Sequence, residues 1–162
     1  MLHNSELATS LPEKFGAAIT GVSNPLGELT IGVDAAHIVE VCGFLKREQG
    51  WNRVSSVTCV DWYPQEPRFE VVYLLHNTTT WERLRLKVKV AGGSADQLPE
   101  LDSVTSVWKG ANWYEREVFD MFGIHFRSHP DLKRLLMPED WVGHPLRKDY
   151  PVHGYKYSYK DE

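Results

Sequence analysis

The stretch from residue 112 to residue 151 changes character at Gly123, and this change limits the folds open to the chain. Before Gly123 the apolar residues recur with the period of an amphipathic helix. After it, prolines stand at positions 130, 138, 145 and 151. Proline fixes φ and lacks a backbone N–H, so this spacing excludes long helices and central strands. The sequence therefore predicts a helix that stops at Gly123 and an extended, charged and aromatic segment beyond it.

Asn112 and Glu115 predict where this helix begins, because their spacing matches a capping box. The helical period gives one apolar flank, formed by Tyr114, Val118, Met121 and Phe122. Glu115 projects into that flank, which leaves two interpretations. Its carboxylate completes the cap at Asn112, or it is buried at an interface and pairs with a basic group of a partner. A shared catalytic pair is disfavoured, because Glu115 and Glu117 point about 160° apart on a helix.

Composition places the chain among single globular domains. The 162 residues are 42% hydrophobic and 25% charged, which is typical of a protein with a packed core. The net charge of −4 disfavours a dedicated nucleic-acid binder, and no apolar run is long enough to cross a bilayer. The start of the chain lacks the basic and apolar regions of a secretory signal, so a cytosolic protein is expected.

Two isolated cysteines limit the cofactors that this chain can hold. Cys42 and Cys59 each lie in an apolar segment, and no C-x-x-C pattern occurs. Such cysteines are typical of small, reduced core residues. By themselves they cannot hold an iron–sulfur cluster or a structural zinc ion. No G-x-G-x-x-G follows a predicted strand, so no dinucleotide site is indicated either.

Local patterns before residue 110 predict helices and strands. The predicted helices span 5–15 and 34–49, and the predicted strands span 28–33, 54–62, 68–76 and 81–90. Residues 21–27 are predicted to be a turn, and 101–109 a short helix. Short connections require the last three strands to pair antiparallel. The predicted fold is therefore α+β, with an antiparallel sheet of about four strands packed with helices on one face, plus an extended C-terminal segment.

The segment 83–90 alternates between basic residues and leucine or valine. Its basic side chains are Arg83, Arg85, Lys87 and Lys89. A solvated face or a charged edge strand explains this row. RNA binding is disfavoured, because no aromatic residue interleaves the row to stack a base. An acidic patch on a partner protein fits the row better.

Histidines and carboxylates between 115 and 129 leave open a free-standing metal-dependent enzyme. Such an enzyme would use Glu115, Asp120, His125 and His129. The two histidines have the i, i+4 spacing of helical metal ligands, but Gly123 and Pro130 disfavour a helix there. The other interpretation of His129, directly before Pro130, is a hydrogen-bonding residue in a turn or at an interface.

Three runs in the last third of the chain match one known family. They are EREVFDMFGI at 115–124, HPDLKRLL at 129–136 and PLRKDYP at 145–151. In residues and spacing, they closely resemble the 30-kDa subunit family of NADH:quinone oxidoreductase, the respiratory complex I. The predicted α+β order before them is what that family would supply. Relatives also occur in membrane-bound hydrogenases and other quinone-reducing complexes, so the equivalent subunit of such a complex is the alternative.

The resemblance implies a structural role within an enzyme complex. In that family the complex passes electrons from NADH through flavin and iron–sulfur clusters to quinone, and partner subunits hold those cofactors. This chain would be a non-catalytic subunit of the peripheral arm, packed against the subunit that forms the quinone site. It would hold no catalytic residue, cofactor or metal ion, and it would bind no nucleic acid. Its membrane association would be indirect, on the cytoplasmic face of the bacterial inner membrane or on the matrix side of an organelle.

The same resemblance divides the chain at Gly123. Residues 1–123 would form the α+β domain, and residues 124–162 would form an extended segment that wraps a partner. The residues expected at the partner interface are Glu115, Arg116, Glu117, Asp120, His129, Lys133, Arg134, Arg147, Lys148, Asp149 and Tyr150. Of these, Arg116, Glu117 and Asp120 would contact the partner or fix the C-terminal segment. Arg147, Lys148 and Asp149 are expected to form ion pairs across the interface. Beyond them, tyrosines alternate with polar residues at 155–160, which suits a strand added to another chain's sheet.

Overall fold

A computed structural model describes residues 3–93 and 97–154 of the chain. The helices of this part are α1 (Asn4–Phe15), α2 (Ile38–Gln49) and α3 (Ala111–Phe122). Its strands are β1 (Ile19–Ser23), β2 (Thr30–Val33), β3 (Arg53–Asp61), β4 (Phe69–His76), β5 (Arg83–Val90), β6 (Glu100–Asp102) and β7 (His125–Arg127). None of these helices combines the length and apolarity that a membrane span requires. The tyrosine-rich run at 155–160 lies outside the described residues.

Five strands form one mixed sheet in the order β1-β2-β5-β4-β3. The strands β3, β4 and β5 form an antiparallel meander, and β1 pairs antiparallel with β2. The strands β2 and β5 run parallel, because the chain crosses from β2 through α2 to the far edge of the sheet and then returns strand by strand. The short strands β6 and β7 form a separate parallel pair.

The α+β class and the antiparallel meander are as predicted, but the sheet has five strands instead of about four and is not purely antiparallel. The sequence misses β1, whose last three residues fall in the turn predicted at 21–27, because four of its five residues are exposed and show no apolar alternation. The helix predicted at 101–109 is wrong, because Glu100–Asp102 is strand β6 and turns follow it. The pairing of β2 with β5 joins residues distant in sequence, which no local pattern reports.

Alternate side chains of β5 point to the two faces of the sheet, one buried and one more open. Its inward residues Leu84, Leu86, Val88 and Val90 share one core with Leu11, Val41 and Val118 of the three helices. On the other face, Lys87 lies 3.0 Å from Glu70, and Arg85 pairs with Glu28. Because β5 lies inside the sheet, the interpretation of its basic row as a charged edge strand is wrong.

The helix α3 begins at Ala111, so Asn112 lies inside its first turn and not at its cap. The interpretation of Glu115 as half of a capping box is therefore wrong. The predicted stop is confirmed, because Gly123 has φ 73° and its N–H donates to the Phe119 carbonyl over 2.8 Å. A Cβ atom at Gly123 would also lie 2.5 Å from the His144 ring. The position therefore requires both the left-handed backbone and the missing side chain of glycine.

Beyond Gly123 the chain remains in contact with the domain. Ile124 and Phe126 are buried in the core, and β7 pairs with β6. Further on, the Leu146 N–H donates to the Met121 carbonyl at the end of α3 over 3.1 Å. The described part of the segment 124–154 is thus attached to the α+β domain, and Gly123 does not separate two independently packed parts. That the outer surface of this segment wraps a partner stays a prediction.

Candidate partner-binding surface

Glu115 is fully buried between α3 and the turn that follows β6. Its Oε2 accepts a hydrogen bond from the Ser103 hydroxyl over 2.6 Å, and its Oε1 accepts one from the Val104 N–H over 2.8 Å. Burial raises the pKa of Glu115 to about 7, against these two hydrogen bonds, which lower it. The carboxylate is thus satisfied within its own chain and has no surface to offer a partner, contrary to the predicted interface role.

His129 ties the turn after β7 to the start of α3. Its Nδ1 accepts a hydrogen bond from the Asp131 N–H over 3.1 Å, and its Nε2 lies 3.2 Å from the Asn112 carbonyl oxygen. These two partners assign the proton to Nε2. Burial lowers the pKa of His129, so the neutral ring is favoured although Glu115 lies 4.0 Å away. His129 therefore acts as a hydrogen-bonding residue in a turn.

We expect Glu115→Gln to raise the free energy of unfolding at pH 8 by up to about 3 kcal/mol relative to the unchanged chain. The pKa of Glu115 rises from 4.5 to about 7 on folding, so its stabilisation is complete below pH 4.5 and is lost as the pH rises through 7. Glutamine stays neutral at every pH. It can accept from Val104 and donate to the Ser103 hydroxyl, whose own proton can turn to Thr105, 2.7 Å away.

Urea unfolding at pH 5 and at pH 8 measures this effect. The unchanged chain is expected to lose stability between these values, and the glutamine variant is expected to keep most of it. Glu115→Ala serves as the control, because it removes both hydrogen bonds and leaves a cavity, and so destabilises at both pH values. Equal pH slopes for the unchanged chain and the glutamine variant would show that the buried carboxyl group does not titrate as described.

Asp120 anchors the segment after Arg134 to α3. Its Oδ2 accepts three backbone N–H groups, those of Leu135, Leu136 and Met137, over 2.9, 2.7 and 2.9 Å. Its Oδ1 accepts from Arg134 Nη1 over 2.6 Å. Successive N–H groups of this kind form a concave nest that suits an anion. Burial raises the pKa of Asp120, but these donors outweigh it, and the pKa lies below its ordinary value.

Two arginines extend this anchorage along the segment. Arg134 Nη2 donates to the carbonyls of Trp141 and Gly143 over 2.9 and 3.0 Å. Arg116, from α3, donates to the carbonyls of Lys133 and Arg134 over 3.2 and 3.1 Å. The fork of each guanidinium group thus fixes bends of the backbone between residues 133 and 143. Arg116 thus fixes the C-terminal segment, which is one of the two roles expected for it. Arg134, expected at a partner interface, uses these donors inside the chain.

A second anchorage, which no sequence pattern indicated, joins β3 to the end of the segment. Asp61 is 4% exposed and accepts from Arg68 Nε and Nη2 over 2.9 and 2.8 Å, and from the Lys148 N–H over 2.8 Å. Burial raises the pKa of Asp61, but Arg68 and the N–H donors lower it to about 2. Arg68 also donates Nη1 and Nη2 to Asp149 over 2.9 and 2.6 Å. The ion pair expected between Asp149 and a partner is therefore made within the chain.

The Arg147 side chain caps the carboxyl end of α3. Its Nε donates to the Phe122 carbonyl over 2.6 Å, and its Nη2 lies 3.5 Å from the Gly123 carbonyl oxygen. A cation in this position is favoured by the dipole of the helix. The guanidinium also lies 5.2 Å from the centre of the Phe69 ring. Arg147 is thus engaged inside the chain, whereas the side chain of Lys148 is exposed.

The residues predicted for the interface differ in exposure. Glu115 and Asp120 are buried. The half-buried members, whose hydrogen bonds hold the segment together, are Arg116, His129, Arg134, Arg147 and Tyr150. The exposed members are Glu117, Lys133, Lys148 and Asp149. Contact of this exposed group with a partner stays a prediction.

The four side chains of the alternative metal site are not brought together. Glu115 lies near His129, but Asp120 is enclosed by Arg134 and backbone N–H groups, and His125 lies beside Glu100 at 3.4 Å. Within residues 3–93 and 97–154, no group of three or more histidine, cysteine or acidic side chains is arranged to hold a metal ion. Cys42 and Cys59 are buried free thiols, and burial raises the pKa of Cys59 to about 12.

Large apolar side chains are exposed beside these anchorages. They are Trp113 (59% exposed), Leu136 (60%), Val142 (63%), Leu146 (55%) and Val152 (97%), and we call them the C-terminal face. The N–H groups of Leu136 and Leu146 bond to Asp120 and Met121, so the two leucines flank the end of α3. Trp113 lies on the same helix, and the helical period places it on the side opposite the apolar flank of Tyr114, Val118, Met121 and Phe122. An aromatic residue on the polar side of a helix is thus the sequence signal that could have indicated this exposed surface.

Comparison with known proteins agrees with the resemblance. Residues 31–156 match the family described as "Respiratory-chain NADH dehydrogenase, 30 Kd subunit". The chain is 47% identical over 155 residues to the C subunit of NADH-quinone oxidoreductase from Geobacter sulfurreducens, covering 95% of this chain and 93% of the relative. It is 44% identical over 153 residues to the protein of the same name from a Roseiflexus species, covering 93% and 86%.

A solved structure shares the fold. A chain of the membrane-bound sulfane sulfur reductase, an archaeal respiratory membrane complex, superposes with a TM-score of 0.71 at 24% identity, covering 91% of this chain and 85% of that one. At this identity the likeness concerns the fold alone. The family match over residues 31–156 and the identity with relatives over nearly their full length show the family directly. The chain belongs to the family of the 30-kDa subunit of respiratory-chain NADH dehydrogenase.

Proposed function

We propose that this chain is a non-catalytic structural subunit in the peripheral arm of a proton-translocating NADH:quinone oxidoreductase. Relatives named as a subunit of NADH-quinone oxidoreductase support its place in such a complex. Its own role would be to pack against the subunit that forms the quinone site and to stabilise it. Flavin and iron–sulfur clusters would be held by partner subunits, and the chain would reach the cytoplasmic face of the membrane only through the complex.

The C-terminal face is the observation that carries this proposal. Large apolar side chains exposed close together mark contact with another protein. Here four of them lie within 17 residues of one segment, and Trp113 lies on the helix to which that segment is anchored. The segment that presents them is held in place by buried ion pairs, from Asp120 to Arg134 and from Asp61 to Arg68. Because these anchorages order the backbone in the free chain, docking need not order it, and less conformational entropy opposes binding.

Charged residues complete the C-terminal face. Glu117 and Lys148 are exposed, and Lys133 lies 2.9 Å from Asp131 in an exposed pair. In protein interfaces, charged residues at the rim of an apolar centre set orientation and specificity. We therefore expect Glu117 to face a basic group of the quinone-site subunit.

The combined change Leu136→Asp and Leu146→Asp is expected to prevent assembly of this chain into the complex. A buried, unpaired carboxylate in an interface costs several kcal/mol, so two of them lower the bound fraction by about a hundredfold or more. The variant replaces the natural copy in cells, and native gels and NADH:quinone reductase activity of membranes report on assembly. Circular dichroism and thermal melting of the purified chain verify that it still folds, since both leucines are exposed.

Leu26→Asp is the matched control, because Leu26 is fully exposed in the turn between β1 and β2 and lies outside the C-terminal face. It makes the same chemical change and is expected to leave assembly intact. For the charged rim, Glu117→Lys is expected to weaken assembly, and Glu13→Lys, at an exposed position of α1, is not. Normal complex levels and normal activity in the double leucine variant would refute the proposed function.

A further inference from the structure

A cleft of about 190 Å³ lies beside the turn between β4 and β5, and no residue of the C-terminal face lines it. Its walls include Arg53, His76, Trp81 and Arg83, which we call the Trp81 corner. These residues come from the adjacent ends of three neighbouring strands and from the turn that joins two of them. Neither the family resemblance nor the C-terminal face gives them a role.

Three basic residues lie side by side in the Trp81 corner. Arg53 is directly opposite His76 on the neighbouring strand, and His76 is directly opposite Arg83 on the next. Residues opposite each other on antiparallel strands project from the same face, so the two arginines present their positive charges on one face of the sheet. Both arginines are exposed, and neither guanidinium forms an ion pair within the described ranges of the chain. The row therefore gains stability when an anionic group approaches it.

Glu82, which lines the same cleft, has other partners. Glu82 Oε1 accepts from the Asn4 N–H over 3.1 Å and lies 3.4 Å from His3 Nδ1, while its Oε2 accepts from the Thr80 hydroxyl over 2.9 Å. These partners attach the start of α1 to the β4–β5 turn and hold the pKa of Glu82 below its ordinary value despite burial, which raises it. The edge of the cleft thus keeps an excess of positive charge.

Trp81 is presented to solvent by a rigid turn. Its side chain is 84% exposed, and its backbone has φ 61°, a conformation that bulky residues rarely adopt. The Trp81 N–H donates to the Asn77 carbonyl over 2.9 Å, and the Asn77 side chain accepts from the Thr79 N–H over 2.9 Å. Asn52 and Thr78 exchange two further hydrogen bonds across the turn. Such strain persists only where the surrounding contacts impose it, and it is concentrated at functional sites.

The geometry points to the Trp81 corner as a second docking site, which takes a carboxylate-bearing segment of a neighbouring polypeptide. The carboxylates would bond to Arg53 and Arg83, and an apolar pocket would receive Trp81. Tryptophan and arginine are the residues most often responsible for binding energy at protein interfaces. A free anion such as phosphate would satisfy the arginines but leave the indole exposed, whereas a polypeptide covers both. This inference rests on the proposed function, because it requires a neighbouring subunit.

Hydroxyl-radical footprinting of the intact complex and of the purified chain tests the docking site. In the complex, the oxidation rate of Trp81 is expected to fall about fivefold or more as the indole passes from 84% exposed to buried. Leu26, which is fully exposed, is expected to keep its rate in both samples. Mass spectrometry of the digested chain measures both rates in the same experiment.

Two variants test whether Trp81 and the arginines bind. Trp81→Gly removes the indole, and glycine accepts positive φ without strain, so the purified chain is expected to melt at the same or a higher temperature. The amount of chain released from the complex by added salt is expected to rise about tenfold, the effect of losing one main contact residue. Arg53→Glu with Arg83→Glu is expected to do the same. Lys89→Glu, at an exposed position on the same strand as Arg83, reverses one charge outside the Trp81 corner and is expected to leave retention unchanged.

The possible outcomes separate this inference from the proposed function. If the chain is present in the complex and Trp81 oxidises at the rate of the purified chain, the docking site is refuted and the proposed function stands. If the chain joins no complex, both are refuted. Protection of Trp81 in the purified chain by vesicles of anionic lipid alone, to the degree found in the complex, would assign the corner to a membrane surface and refute a polypeptide occupant.

Discussion

Asp120→Ala is expected to lower the free energy of unfolding by about 3–5 kcal/mol and to release residues 133–144 from α3. The change leaves three backbone N–H groups and the Arg134 guanidinium, 16% exposed, without the carboxylate that they share. Burying an uncompensated cation and unpaired N–H groups costs more than the lost bonds alone. Urea unfolding measures the loss of stability, and amide hydrogen exchange locates it in the released segment.

Asp120→Asn is the matched variant. Asparagine keeps one oxygen that can accept the three N–H groups, but its amide group faces the Arg134 donor, so an intermediate loss is expected. Glu117→Ala, at an exposed position of the same helix, is the control and is expected to change stability by less than about 0.5 kcal/mol. A loss below about 1 kcal/mol for Asp120→Ala would mean that the segment is not held by this carboxylate.

Acid should reproduce the effect of this change in the unaltered chain. The folded-state pKa of Asp120 lies below its ordinary value of 3.8. The ionised Asp120 carboxylate therefore stabilises the folded chain fully above about pH 3.8. This stabilisation is lost as the pH falls through the lower pKa of the folded state. The difference in stability between the unchanged chain and Asp120→Ala is expected to shrink as the pH is lowered from 6 towards 3, which urea unfolding across this range measures.

Arg68→Ala is expected to be comparably severe, at about 3–5 kcal/mol. Asp61, with 2% of its side chain exposed, would keep only the backbone N–H groups of Tyr63 and Lys148 as donors. Asp149 would lose its bidentate partner at the same time. The end of the C-terminal segment is therefore expected to detach from β3. Thermal and urea unfolding of the purified variant measure the effect.

Asp149→Ala is the control, because it removes only the solvent-exposed one of the two carboxylates that pair with Arg68. Its side chain is 43% exposed, so its pair with Arg68 is screened by water and is expected to contribute less than about 1 kcal/mol. Arg68→Lys keeps the charge but cannot serve two carboxylates at once, so most of the loss is expected to remain. Full stability in the lysine variant would show that only the charge of residue 68 matters, and would contradict a role for the guanidinium fork.

The pKa of Asp61 gives this prediction a pH signature. That pKa is lowered from 3.8 to about 2, so its stabilisation is complete above pH 4 and is lost as the pH falls towards 2. Removing Arg68 removes a main cause of this lowering. The stability of Arg68→Ala is therefore expected to depend less on pH between 4 and 2 than that of the unchanged chain, although it is lower throughout.

The helices and the antiparallel meander could be predicted from the sequence, because their patterns are local. The alternation at 83–90 identified the inward residues of β5, and Gly123 identified the end of α3. The three runs between 115 and 151 identified the family. Each of these signals depends on residues a few positions apart, where the period of a strand or helix, or the φ of a glycine, decides the structure.

Only the tertiary structure decided which charged residues hold the chain together and which remain for a partner. The sequence placed Arg134, Arg147 and Asp149 at an interface, but Arg134 binds Asp120, Arg147 binds the end of α3, and Asp149 binds Arg68, 81 residues away. Lys148 and Asp61 meet across 87 residues. The sequence around a charged residue does not indicate its partner, because burial and ion pairing arise only when distant parts of the chain pack together in the folded state. The fold thus uses most of the charges in these motifs internally and leaves two of their leucines, Leu136 and Leu146, exposed.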